Sequence, residues 1–206
     1  MTIKEYQKQV AGLKHQSILN AASKIFLTVG YERTTLEMIA KEAGVSTATL
    51  YKHFPTKRAV FGEIMEVVWD VQLKFVDAID NVDIATKLLI IGKKYVSLLR
   101  QPNIEALFRV IIAEAQRFPE LGEELYRRGK EPFLKNLHFF LQTEVNNKKL
   151  EIKDIPLAAR QFLGMINDLV FWPKFLITDL EISDAEVERV IAEATETFMA
   201  RYLVKK

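Results

Sequence analysis

Cysteine is absent from all 206 residues. That removes disulfides, thiolate metal ligands and cysteine nucleophiles from consideration, and it fits a reducing compartment. Glycine is scarce, at eight residues, while 49% of the chain is hydrophobic, a balance that fits a compact, mostly helical protein. The alternating apolar and polar runs bounded by Asn-Gly or Asp-Gly that announce hairpins are missing too. Long apolar runs are lacking: Leu88-Leu89-Ile90-Ile91 is among the longest, far short of the roughly 20 residues that span lipid. The opening Met1-Thr2-Ile3-Lys4-Glu5-Tyr6 is polar, so neither an export segment nor membrane attachment is expected, and the expected location is cytoplasmic. His15, His53 and His138 show no H-x-x-x-H spacing, and neither a G-x-S-x-G elbow nor a P-loop glycine pattern occurs. A small helical enzyme is therefore the remote alternative, and no metal or cofactor is expected.

What the chain has is helical periodicity almost throughout. Ile18, Ala22, Ile25, Phe26 and Val29 form one stripe, predicting a first helix that stops near Gly30. A longer helix is predicted from Lys57 to about Ile79, burying Val60, Phe61, Ile64, Val67, Val68 and Val71. Asp83 begins another that ends before Pro102, and Asn103 opens one reaching about Arg117. Pro119 opens a helix interrupted near Gly129 and Pro132 and continued to about Val145. Asn146 to Asp154 is a polar linker, and Pro156 starts a helix to about Phe171 that Pro173 kinks or ends. Ser183-Asp184-Ala185-Glu186 is a capping box for a last helix through Tyr202. Internal repeats and low-complexity segments are absent. The fold class is all-α, in one or two domains.

Residues 33–58, RTTLEMIAKEAGVSTATLYKHFPTKR, carry the sharpest pattern. Thr34-Thr35-Leu36-Glu37 fits a capping box that opens a helix with Leu36, Ile39, Ala40 and Ala43 on its apolar face. Gly44 accepts the left-handed backbone that ends a helix sharply. Ser46 can cap a second helix to about Phe54, and Pro55 lacks the amide needed to continue it. Ala40 and Gly44 are small where the two helices cross, and Leu50 is the buried plug ten residues after Ala40. This is helix-turn-helix spacing. It leaves Thr47, Ala48, Thr49, Tyr51, Lys52 and His53 facing outward, groups that can approach base edges and phosphates. Residues 1–62 hold nine Lys/Arg and four Asp/Glu, a balance of +5 that leaves −3 for the remainder of a chain totalling +2. A basic end attracts the phosphate backbone, and an acidic remainder favours one docking orientation.

In Gly30-Tyr31, Thr34-Thr35, Ile39-Ala40, Ala43-Gly44-Val45-Ser46, Leu50-Tyr51, His53-Phe54 and Lys57, the chain resembles the amino-terminal domain of the TetR/AcrR family of transcriptional regulators. The match covers roughly residues 14–62. It implies a helix-turn-helix DNA-binding domain over 1–62, with a linking helix continuing from Lys57, and a larger helical ligand-binding and dimerisation domain over 63–206. It implies that Thr35 and Lys57 clamp phosphates and that Ser46 caps and touches phosphate. Thr47, Thr49, Tyr51, Lys52 and His53 would form the recognition surface. Ala48, where many relatives have glycine, and Arg58, where an acidic residue often follows the lysine, leave the docking distance and operator sequence open.

The last two predicted helices carry more apolar residues than one packing face requires. Ala159, Phe162, Leu163, Ile166, Leu169 and Val170 share a stripe, with Met165, Phe171 and Trp172 outside it; Val187, Val190, Ile191, Ala194 and Phe198 line the second helix. One face can pack inward and another across a twofold axis; burial on both sides within one protomer is the alternative. The resemblance implies pairing of these helices into a four-helix bundle, with Phe162, Met165, Ile166, Leu169, Trp172, Val187, Val190, Ile191, Ala194 and Phe198 at the interface. It also implies a small-molecule pocket among the helices from about Lys57 to Val145. Trp69, Phe108, Ile112 and Phe140 are candidate walls, and Arg109 or Glu114 a candidate polar anchor; core packing, or pairing elsewhere, is the alternative for each. The implied protein is a homodimeric repressor that binds a palindromic operator in double-stranded DNA through residues 46–54 and is released by a small-molecule effector. An ungated helix-turn-helix activator or architectural protein is the alternative.

Overall fold

The computed structural model describes residues 3–70, 82–101, 103–177 and 179–205. In chain order its helices are α1 (Ile3–Arg33), α2 (Leu36–Ala43), α3 (Thr47–His53), α4 (Lys57–Asp70), α5 (Ile84–Leu99), α6 (Ile104–Glu114) and α7 (Glu120–Glu124). A π-helical turn (Leu125–Lys130) leads into α8 (Glu131–Asn146), followed by α9 (Ile155–Val170), α10 (Pro173–Leu176) and α11 (Asp184–Tyr202). Among the described residues the one β feature is an isolated bridge between Leu150 and Leu203. The chain divides into two compact units, Met1–Val68 with Ala106–Gly129, and Trp69–Glu105 with Lys130–Lys206.

The first unit is larger than residues 1–62 because the short helices cannot close their own core. Ile18, Ala22, Phe26, Tyr31, Ile39, Leu50 and Phe61 form its centre, and Leu107, Ile111 and Leu121 from the distant segment complete it. Phe26, Tyr31 and Phe61 meet at ring-centroid distances of 5.4 to 5.8 Å, within the range where aromatic pairs attract beyond their buried area. On α4, Val60, Phe61, Ile64, Met65 and Trp69 are buried, whereas Val67, expected inside, is exposed. The stripe facing the first unit's core runs through Val60, Phe61, Ile64 and Met65 and turns Val67 away. Val71 and the predicted continuation to Ile79 lie outside the described residues.

A buried carboxylate ties α4 to the distant segment. Glu124 accepts from Arg58 Nε at 2.8 Å, Arg128 Nε at 2.8 Å and Arg127 Nη2 at 3.1 Å. Burial disfavours its charge, but the hydrogen bonds from Arg58 and Arg127 and the neighbouring guanidiniums outweigh that and hold it below the ordinary carboxylate range. The approach is close: a Cβ at Gly62 would stand 2.6 Å from Glu124 Oε2.

In the second unit α5, α8, α9 and α11 pack around Leu88, Tyr95, Phe133, Phe162, Ile166 and Phe198. A Cβ at Gly92 would stand 2.6 Å from Ile191 Cγ2, so only glycine lets α5 and α11 come this near. Glu144, buried, pairs with Lys87 at 3.1 Å. Asp83, Asp154 and Ser183 cap α5, α9 and α11 through their side chains; the sequence predicts helix starts at Asp83 and Ser183, whereas it reads Asp154 as the end of a linker. At Ser183 the cap is one-sided: the hydroxyl accepts from the Glu186 amide, and Glu186's carboxylate is taken by Arg189.

Candidate nucleic-acid interface

Thr35, not Thr34, is the N-cap of α2, accepting from the Met38 amide at 3.2 Å. Thr34 is buried and donates to the Gly30 carbonyl at 2.6 Å. The predicted pairing of Thr34 with Glu37 is thereby displaced by one residue, because Thr34 closes the preceding turn. That turn needs Gly30, whose φ of 85° is open to few side chains. α2 ends at Gly44 in the left-handed conformation, its amide meeting the carbonyls of Ala40 and Lys41, and Ser46 caps α3 by accepting from the Thr49 amide at 3.1 Å. Leu50 is fully buried against Ile39 and Ala40 in the common core. The two helices are therefore fixed by backbone chemistry at both ends of a short turn.

Fixing Leu50 inward turns Thr47, Tyr51 and Lys52 to solvent, along with Thr35 and Ser46. Thr49 is half-buried, and its hydroxyl is 2.8 Å from that of Ser46. His53 is half-buried, with its ring 5.8 Å from His15 and 6.3 Å from Phe54. Tyr51 donates its phenol proton to Glu37 at 3.0 Å. Glu37's own amide, then the hydroxyls of Thr35 and Tyr51, hold its carboxyl below the usual range, and the same bond raises the Tyr51 phenol. Glu37 thus stands among the expected DNA contacts, a position that reading it as a helix cap did not anticipate.

Lys57 is placed differently from a free phosphate clamp. Its ammonium donates to the carbonyls of Tyr31 at 2.5 Å and Glu32 at 3.1 Å, and lies 4.3 Å from the Tyr31 ring centroid. Partial burial lowers its pKa, against the pull of Glu114, Glu120 and Glu32. On the same turn Glu114 accepts from the amides of Tyr31 and Glu32, each at 2.8 Å. An anion thus holds the two amides and a cation the two carbonyls.

Glu114 thereby has a partner inside the first unit, unlike the free polar anchor envisaged for an effector. Phe108 and Arg109 are half-buried and Ile112 exposed in that unit. Trp69 and Phe140 are core residues of the second, Trp69 packing on Phe133 with ring centroids 6.1 Å apart. These six residues divide between the two units. Of the expected interface residues, Phe162, Ile166, Val187, Val190, Ile191, Ala194 and Phe198 are buried within their own protomer. Phe162 meets Phe198 at 5.7 Å between centroids: the inner stripe of α9 is used up against α11. Leu169, expected on the same stripe as Phe162, is about half exposed instead, as are Leu157 on α9 and Trp172 beyond its end, and Met165 is half-buried. Among the described residues no group of three or more His, Asp or Glu side chains could hold a metal ion, and no helix is long and apolar enough to cross a membrane.

A capped pair of short helices, with the second presenting small, hydroxyl-bearing and cationic side chains, defines a helix-turn-helix DNA-binding protein. The family model for bacterial regulatory proteins of the tetR family matches residues 18–64, and that for the AefR-like transcriptional repressor C-terminal domain matches residues 86–204. The chain belongs to the TetR family of DNA-binding transcriptional regulators. It is 28% identical over 185 residues to the HTH-type transcriptional regulator YdeS of Bacillus subtilis, covering 87% of each chain. A TetR-family regulator structure from Mesorhizobium loti superposes with a TM-score of 0.81 at 30% identity, covering 94% of this chain and 98% of that one. The flavonoid-responsive regulator FrrA gives 0.77 at 26% identity, covering 95% and 100%.

Proposed function

We propose that the protein is a homodimeric repressor that seats α3 of each protomer in successive major grooves of a palindromic operator and is released by a small-molecule effector. The observation that carries this reading is the exposed face of α3. Thr47, Tyr51 and Lys52 stand out from a helix whose other side is locked by Leu50. One such helix reads too few base pairs to be selective, and two on a twofold axis read half-sites about 34–36 Å apart. Pairing is supported by Leu157 and Leu169 on α9 and Trp172 just beyond its end, which remain about half exposed after the protomer's core is complete. Repression is supported by the match to the AefR-like repressor domain. Gating by a small molecule is supported by the flavonoid-responsive relative, and a coupling of about 1–3 kcal/mol would change operator affinity about 5–150-fold.

The test is selection of bound sites from random duplex DNA with the purified protein, followed by a gel shift of the selected site against salt and against a small-molecule panel. A palindrome whose complex dissociates steeply with salt and is released by one compound class bears the reading out. A direct repeat or no enrichment sinks the dimeric repressor, and a palindrome indifferent to every compound leaves the ungated activator or architectural reading in its place.

A further inference from the structure

We infer that Glu37 determines what Tyr51 presents to DNA: it holds the phenol proton, so that the phenol oxygen faces the groove as an acceptor for an exocyclic amino group of adenine or cytosine. The inference rests on the proposed seating of α3 in the major groove. Glu37 lies on α2 and Tyr51 on α3, both exposed, and Tyr51 Oη donates to Glu37 Oε1 at 3.0 Å. Thr35 caps α2 by accepting from the Met38 amide at 3.2 Å, which places Glu37 in the first turn of that helix. The capped helix start thus fixes the backbone from which Glu37 reaches Tyr51.

A phenol has one proton and two lone pairs. With the proton committed to a carboxylate in a charge-assisted bond, what remains is acceptor capacity. Phosphate oxygens only accept, so Tyr51 in this state has nothing to offer them, and the carboxylate beside it repels them. The major groove contains complementary groups: the N4 amino group of cytosine and the N6 amino group of adenine donate, whereas guanine N7 and O6 and thymine O4 accept. A tyrosine so held discriminates between donor and acceptor edges at one base pair. Glu37 is a positioning residue in this scheme, and its effect falls on base preference rather than on overall affinity.

Site selection from random duplexes separates the two. Compared with the unaltered protein, Tyr51→Phe removes the acceptor, Glu37→Ala removes its orienting partner, and Glu37→Gln keeps an oxygen able to take the phenol proton while removing the charge. Tyr51→Phe and Glu37→Ala are expected to lose preference at the same base pair of each half-site by roughly five- to tenfold. Glu37→Gln is expected to retain it. A motif unchanged in Tyr51→Phe or Glu37→Ala, or lost as fully in Glu37→Gln as in Glu37→Ala, overturns the inference and leaves operator binding intact. An unaltered protein that enriches no motif overturns operator binding and this inference together. All three substitutions are at exposed positions, and far-ultraviolet circular dichroism checks that the helices persist.

Discussion

At the residue scale, charged side chains in the first unit serve the protein before they serve any ligand. Lys57 neutralises the end of α1 through the Tyr31 and Glu32 carbonyls. Lys57→Met is therefore expected to lower stability by about 1–2 kcal/mol in denaturant titration while leaving the salt dependence of DNA binding close to unchanged. Lys52→Ala, at an exposed position on α3, is expected to do the reverse and flatten the salt slope by roughly one. Glu124 gives a pH signature. Its folded pKa lies below the ordinary carboxylate value, so the folded state binds that proton less readily than the unfolded chain. The stabilisation is complete above the unfolded range, near ~4.3, and is lost as the pH falls through the lowered folded value. Glu124→Gln is expected to cost about 1–3 kcal/mol at neutral pH, towards the lower end because Arg58 and Arg127 are half exposed. The difference from the unaltered protein should vanish in acid, as denaturant midpoints measured across pH would reveal.

At the scale of elements, the short helices depend on their ends. α3 has seven residues, too few to persist from propensity alone. Ser46→Ala removes the acceptor for the Thr49 amide and is expected to destabilise by about 1 kcal/mol, with earlier hydrogen exchange in α3 than in α4. Gly30→Ala is expected to cost more, about 1–3 kcal/mol. The residue sits at φ 85°, and its new Cβ would stand 2.7 Å from Glu114 Oε1. A thermal shift equal to that of an ordinary surface glycine replacement would argue against this strain. These elements were legible in the chain: Gly44 with Ser46 marks a turn by chemistry, and Asp83 and Ser183 mark helix starts where they precede apolar periodicity, whereas Asp154 read as the end of a linker. Thr34 and Thr35 were not separable in this way, since either hydroxyl can cap. The choice fell to the Gly30 carbonyl, which claims Thr34.

At the scale of the whole molecule, the proposed pairing through the exposed residues of α9 and the turn after it can be tested by substitution. Leu169 is 53% and Trp172 49% exposed, although Trp172 also meets the rings of Phe171 and Phe175 at 6.0 and 5.4 Å between centroids. The proposed homodimer predicts a dimer by light scattering for the unaltered protein, and a monomer with intact secondary structure for Leu169→Asp combined with Trp172→Asp. Operator affinity should fall to that of a single head. A double variant that remains dimeric would move the interface off α9.

The apolar periodicity, the caps and the Ala40, Gly44 and Leu50 spacing are local properties, and the amino-acid order by itself determined an all-helical chain with a helix-turn-helix near its beginning. Local rules could not decide how much of one apolar stripe is covered, because Phe162 and Leu169 share a stripe on α9, yet Phe162 is buried and Leu169 about half exposed. Nor could they decide the partners of charges far apart along the chain. Glu114 reaches Tyr31 across 83 residues and Glu124 reaches Arg58 across 66. Only the folded arrangement brings such groups within hydrogen-bonding distance, where burial strengthens their attraction and makes an unpaired charge costly.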